Sequence, residues 1–179
     1  MSKLTNWALA AALLPLAACN MNSSTPMQAT VPTPQTPAGV SNQDAQFAQA
    51  AASSDAFEIQ SSQLALQRTR SPAVRRFAQR MIDDHSKSTQ QLTDLATAKG
   101  ITVAPSLDPN QEHMLAVLQG AQRSFDTEYW RDQVTGHQAA VATFQSEISN
   151  GYDPDFKSFA QQTLPIIQDH LSMAQRRGR

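Results

Sequence analysis

Cysteine is almost absent: the chain has one in 179 residues, Cys19. No disulfide can form within it, so stability must come from packing. A charge excess is missing too, since 14 basic and 15 acidic side chains leave a formal net charge of −1. That balance implies neither a nucleic-acid surface nor an acidic substrate. The basic residues are not interleaved with aromatics, as a base-stacking platform requires. Arg176, Arg177 and Arg179 form only a C-terminal tip that complements a helix C-terminus. There is no Gly-rich phosphate loop and no visible Ser-His-Asp arrangement. Nor does any segment alternate polar and apolar residues like a β-strand.

What is present begins with a leader. Lys3 supplies a positive start, and Trp7 to Leu16 is an apolar stretch. At roughly ten residues it is too short to span a bilayer. Leu16-Ala17-Ala18-Cys19 follows, with small residues ahead of the single cysteine. This pattern reads as a bacterial lipoprotein signal, residues 1–18, cleaved so that a lipid-modified Cys19 becomes the first residue. The alternatives are an ordinary secretory signal with an incidental cysteine, or a free buried cysteine. Three acyl chains would anchor stably where one binds reversibly. Asn20 rather than an acidic residue after Cys19 points to the outer membrane, with the domain facing the periplasm. Cleavage leaves about 160 residues, enough for one domain with a core.

Residues 19–40 read as the lipidated cysteine and a disordered tether. The stretch is rich in Ser, Thr, Gln and Pro (Pro26, Pro32, Pro34, Pro37) and nearly uncharged. Such a composition favours extended chain, reaching about 3 Å per residue and roughly 60 Å in all. A helical domain over residues 41–177 follows. Four long helices are expected, at about Asn42 to Thr69, Pro72 to Lys99, Ser124 to Ser149 and Pro154 to Gln175. Ser71-Pro72 and Asp153-Pro154 are cap-plus-proline starts, and Gly100 and Gly151 are stops. A crossover from Ile101 to Arg123 holds a short helix at about Pro109 to Leu118. The run from Ser71 to Gln79 is echoed from Asp153 to Gln161, each with Phe-Ala-Gln at its end. Two related helical hairpins joined by one long connection make a four-helix bundle.

Spacings of three and four give the inward stripes. The second long helix presents Val74, Ala78, Met81, His85, Ser88, Leu92 and Leu95. The third presents Trp130, Val134, His137, Val141, Phe144 and Ile148. The last presents Phe156, Phe159, Thr163, Ile166, His170 and Met173. On the first, Glu58 shares a small-residue face with Ala51, Ser54, Ser61 and Ala65. Glu58 lies 12 residues before a turn near residue 70, and His85 15 after it. His137 lies 15 before a turn near 152, and His170 18 after it. Offsets of three residues are about 4.5 Å of rise, so the four side chains fall at similar heights. Three imidazoles and a carboxylate suit a single transition-metal ion, Zn²⁺, Fe²⁺, Mn²⁺ or Cu²⁺. The plainer alternative is that these groups hydrogen-bond one another and fix helix register. Asp84 and Asp169 each precede a histidine and point about 100° away from it, which suits solvated or ligand-orienting groups. His113 lies off the stripes and is expected to be exposed. Pro165 is expected to kink the last helix.

At these residues the chain resembles the DUF4142 family of bacterial exported proteins. The resemblance rests on Phe47-Ala48-Gln49, Glu58, the run from Phe77 to His85, the run from His137 to Ala140 and the run from Leu164 to Leu171. It implies an all-α, ferritin-like four-helix bundle and names no activity. Ferritin-like di-iron proteins carry Glu-x-x-His on two helices. Here Ile82 stands three before His85 and Ile167 three before His170. A di-iron centre is therefore disfavoured against a mononuclear site or a metal-free bundle. Two functions stay open: a non-enzymatic, lipid-anchored envelope protein that acts by binding partners under stress, or a mononuclear metal-binding or peroxide-handling protein.

Overall fold

A computed structural model describes residues 39–178, and every regular element among them is an α-helix. The leader, Cys19 and the tether as far as residue 38 lie outside the described residues. The helices are α1 (Asn42–Arg68), α2 (Pro72–Ala98), α3 (Pro109–Gly120), α4 (Phe125–Asn150) and α5 (Pro154–Arg177). No helix among the described residues is long and apolar enough to cross a membrane.

Local chemistry sets the boundaries. The Ser41 hydroxyl accepts from Asp44 N, and the Asp44 carboxylate accepts from Ser41 N, closing a capping box on α1. Ser71 and Asp153 cap α2 and α5, each with a proline in the first turn. Gly100, at φ 71°, lets α2 turn out while Ile101 N donates back to Ala96 O at 2.8 Å. Within the crossover, Asp108 and Gln111 form a second capping box on α3. The Arg68 guanidinium donates to the Leu118, Gln119 and Ala121 carbonyls at the other end of α3. It also stacks 4.9 Å over the Phe125 ring. One side chain thus ties the crossover to the end of α1.

The hairpins α1–α2 and α4–α5 pack through α1 against α4, while α2 and α5 touch far less. Residues that echo each other in sequence are buried alike: Val74 with Phe156, Phe77 with Phe159, Ala78 with Ala160. Two apolar clusters result. One gathers Phe47, Leu92, Phe144, Phe156 and Phe159, with the Phe47 and Phe144 rings edge-on at 5.0 Å. The other gathers Phe77, Met81, Leu118, Tyr129 and Trp130. Residues 58, 85, 133–137 and 170 fall between them along their helices, so a polar layer separates two apolar ones.

Two stripes differ from expectation. On α5, Ile167 is buried and Ile166 is 46% exposed. The buried set Ala160, Thr163, Ile167, His170, Ala174 steps by three and four, the 3.5-residue period of a supercoiled bundle. Thr163 is half-buried in that set, and Ile166 falls on the flank toward α2, where the helices part. On α4 the buried line runs through Gln133, His137, Ala140, Phe144 and Glu147. Val134, Val141 and Ile148 flank it, half-buried. Pro165 lies inside a continuous α5.

The α4–α5 turn is held by carboxyl groups. Asp44 is fully buried, and its Oδ1 accepts from Tyr152 N at 2.7 Å and Asp153 N at 3.1 Å. Burial alone would raise its pKa, but these bonds and those from Ser41 outweigh burial and lower it to about 2. Glu147, also buried, goes the other way: burial and the neighbouring Asp44 carboxylate raise it from 4.5 to about 7. Gly151 is needed here for space, since a Cβ on it would lie 2.6 Å from Glu147 O. The folded state keeps a proton on Glu147 that the unfolded chain gives up near pH 4.5. This contribution to stability is complete below pH 4.5 and lost as pH rises through 7. Glu147→Gln, which cannot ionise, should gain on wild type between pH 5 and 8, by about 2–3 kcal/mol at the upper end. Denaturant unfolding across that range checks it; a constant difference would contradict it.

Candidate metal centre

Three imidazoles meet in the polar layer. His85 comes from α2, His137 from α4 and His170 from α5, and all are buried. Their ring centroids are 5.6 Å (85–137), 5.4 Å (85–170) and 5.4 Å (137–170) apart. One nitrogen from each ring lies within 4.8 Å of those of the other two. Metal–imidazole bonds are about 2.0–2.1 Å, so a shared ion needs a contraction on the order of 1 Å, within reach of small χ changes.

Each ring has one nitrogen fixed from outside. His85 Nδ1 is 2.8 Å from Asp55 Oδ1, and Thr89 Oγ donates to Asp55 Oδ2. His137 Nδ1 donates to the Gln133 carbonyl at 2.8 Å. His170 Nε2 is 2.8 Å from Asp84 Oδ2, and Arg80 bridges Asp84 and Asp169. A carbonyl only accepts, so His137 carries its proton on Nδ1. Asp84 is held below the usual carboxylate range; burial opposes this, and the His170 and Arg80 bonds outweigh it. It therefore accepts, and the His170 proton sits on Nε2. The nitrogens left over are His85 Nε2, His137 Nε2 and His170 Nδ1, all buried and without a hydrogen-bond partner. Metal-ligating histidines carry such a bond on the far nitrogen, which fixes tautomer and ring orientation.

Protonation fits the same pattern. Burial, then the positive charge of His85, drives His137 well below its ordinary 6.5. Burial, then His85, likewise lowers His170 to about 4 despite Asp84. For His85, burial also pulls down, but the bond and charge of Asp55, with Glu58, outweigh it and leave the pKa raised. Two rings are thus neutral with a bare nitrogen at neutral pH, and the third favours its proton.

Glu58 is fully buried, with Oε1 3.4 Å from His137 Nδ1. It stands on the side of the ring already bonded to Gln133 and outside the three-histidine group. Gln133, which donates to Ser61 Oγ, is near it without hydrogen-bond geometry. Burial raises its pKa to about 7, against the charge of His85. Gly136 makes its place, since a Cβ there would lie 2.7 Å from Glu58 Oε1. Of the acids preceding a histidine, Asp84 orients His170 and Asp169 pairs with Arg80 at an exposed position. His113 is exposed on α3. Asp55 and Gln133 were not foreseen. The signal for Asp55 was its place three before Glu58, on the same face of α1.

A family model described as "Domain of unknown function (DUF4142)" matches residues 29–176. The chain belongs to this family. Two solved structures share the ferritin-like helical fold. A DUF305 fragment from Deinococcus radiodurans is 17% identical, with TM-score 0.69, covering 76% of this chain and 95% of that one. CopM in its Cu(II)-bound form is 18% identical, with TM-score 0.66, covering 75% and 95%. At these identities the likeness speaks to the fold alone. No curated protein matches the chain. This DUF4142 domain is thus a four-helix bundle with three buried, facing imidazoles at mid-height.

Proposed function

We propose that this DUF4142 protein binds one transition-metal ion between His85, His137 and His170, and that lipid on Cys19 holds it in the cell envelope. The observation that carries the metal reading is three buried imidazoles that bring one nitrogen apiece within 4.8 Å of the others, each ring with one nitrogen bonded and the other buried and unpartnered. An unpartnered buried polar nitrogen costs about 1–3 kcal/mol, and coordination by a cation removes that cost for His137 and His170, and for His85 once it has given up its proton. A solved neighbour of the same fold binds Cu(II), by its own description. Among divalent ions, Cu²⁺ binds nitrogen sites most tightly. Of the two functions open from the sequence, the geometry supports this one over a metal-free partner-binding bundle.

Each residue takes a role in this reading. The three histidines are the ligands. Asp55, Asp84 and the Gln133 carbonyl hold them. Glu58 supplies a nearby carboxyl that can offset the ion's charge. Asp169 acts through Arg80. Binding displaces the proton that His85 favours, so affinity rises with pH. Purified wild type exposed to Cu(II) should retain one ion per chain by elemental analysis. His85→Ala with His170→Ala should retain about a tenth of that or less. Substoichiometric metal in both samples would sink the metal reading.

The anchoring reading rests on Leu16-Ala17-Ala18-Cys19 and the polar stretch after it. It places the bundle on a leash facing the periplasm, on the outer rather than the inner membrane. Cys19→Ser should move the protein out of membrane fractions or leave it unprocessed. Normal processing and continued lipid labelling of that variant would contradict the anchor.

A further inference from the structure

The three-histidine layer is not sealed evenly. Where α2 and α5 part, a cleft of about 210 Å³ reaches inward to His85 and His170. His137 backs the site from α4 and does not line the cleft. The liquid volume of one water is roughly 30 Å³, so the cleft holds several water-sized groups. It falls below the ~300–1,000 Å³ typical of sites for organic ligands. Size therefore selects a small inorganic ligand.

The lining supplies donors, and the ion supplies the positive charge that would draw an anion. Two carboxylates border the cleft, and both are bonded to the histidines they orient: Asp55 to His85, and Asp84 to His170. The remaining polar groups include donors: the Ser88 hydroxyl, the Lys87 ammonium and the Thr163 hydroxyl. Ser88 lies three residues after His85 on the same face of α2, buried, and its hydroxyl has no hydrogen-bond partner. Ile166, an exposed large apolar side chain, also lines this cleft on the α5 side. Three protein nitrogens leave a fourth position for an outside ligand, as sites open to substrate do.

We propose that this cleft is a binding pocket for one small inorganic anion, of azide or peroxide size, which reaches the ion between His85 and His170 with the Ser88 hydroxyl donating to it. This rests on the metal reading and adds an open, addressable side to it.

The test uses Cu(II) as the ion and azide as the anion, on the full chain. Copper-loaded wild type titrated with azide should develop a charge-transfer absorption that saturates at one azide per copper. Ile166→Trp, at an exposed position, should keep wild-type copper stoichiometry and weaken azide by about tenfold or more as the larger ring blocks the cleft. Ser88→Ala, which removes one donor and little volume, should weaken azide by about fivefold. Bound copper with no azide band overturns the pocket and leaves the ion site standing, as does wild-type azide affinity in both variants. A chain that takes up no copper overturns the ion site itself, and the pocket with it.

Discussion

Everything in this bundle is arranged around a layer of polar side chains buried between two apolar clusters. Burying an imidazole is tolerable when one nitrogen is hydrogen-bonded, and each of the three has such a bond, to Asp55, Gln133 O or Asp84. The second nitrogen of each remains unpartnered, at about 1–3 kcal/mol apiece. Summed over three rings, that approaches the whole stability of an ordinary domain, about 5–15 kcal/mol. The apolar clusters on either side must offset it. Phe47, Phe144, Phe156 and Phe159 pack at one end, and Phe77, Tyr129 and Trp130 at the other. A sequence selected for stability alone would put leucines in the layer. Three histidines held with their bare nitrogens facing are better explained by a ligand they are built to take.

The charge pattern of the layer points the same way. Two rings are pushed toward neutrality by burial and by His85, while the bond and charge of Asp55 raise the pKa of His85, so that its proton is the one a metal must displace. Neutral imidazole is the form that binds a metal. At the end of the bundle, Asp44 and Glu147 show a different use of buried carboxyls. There an ionised Asp44 collects four hydrogen bonds and a neutral Glu147 lies beside it, tying the start of α1 to the α4–α5 turn. The same chemistry thus serves cohesion at the end and orientation in the middle.

Much of the fold was legible in the sequence. Ser71 and Asp153 are caps with a mechanism, and the helix ends moved by only one or two residues. The echo of Ser71–Gln79 in Asp153–Gln161 marked the two hairpins. Counting from the turns brought His85, His137 and His170 to one height, where the structure places them. Asp55, Gln133 and Glu147 were hidden for one physical reason. A polar residue on a helix reads as solvent-facing unless its buried partner is known, and those partners lie 30 residues or more away or on the backbone. Ile166 was misplaced because three- and four-residue steps fit two neighbouring lines on α5, and only the supercoil chooses between them.

The central claim is that the three imidazoles are each held from one side, His137 and His170 in defined tautomers, so that the second nitrogen of each serves a common ion. Nitrogen-15 NMR of the histidine rings, before and after one equivalent of Zn²⁺, tests it most directly. The expected result is a metal-free protein with His137 protonated on Nδ1 and His170 on Nε2, and zinc-induced shifts at His85 Nε2, His137 Nε2 and His170 Nδ1. The opposite tautomers, or zinc that shifts His113 and leaves these three rings untouched, would contradict it.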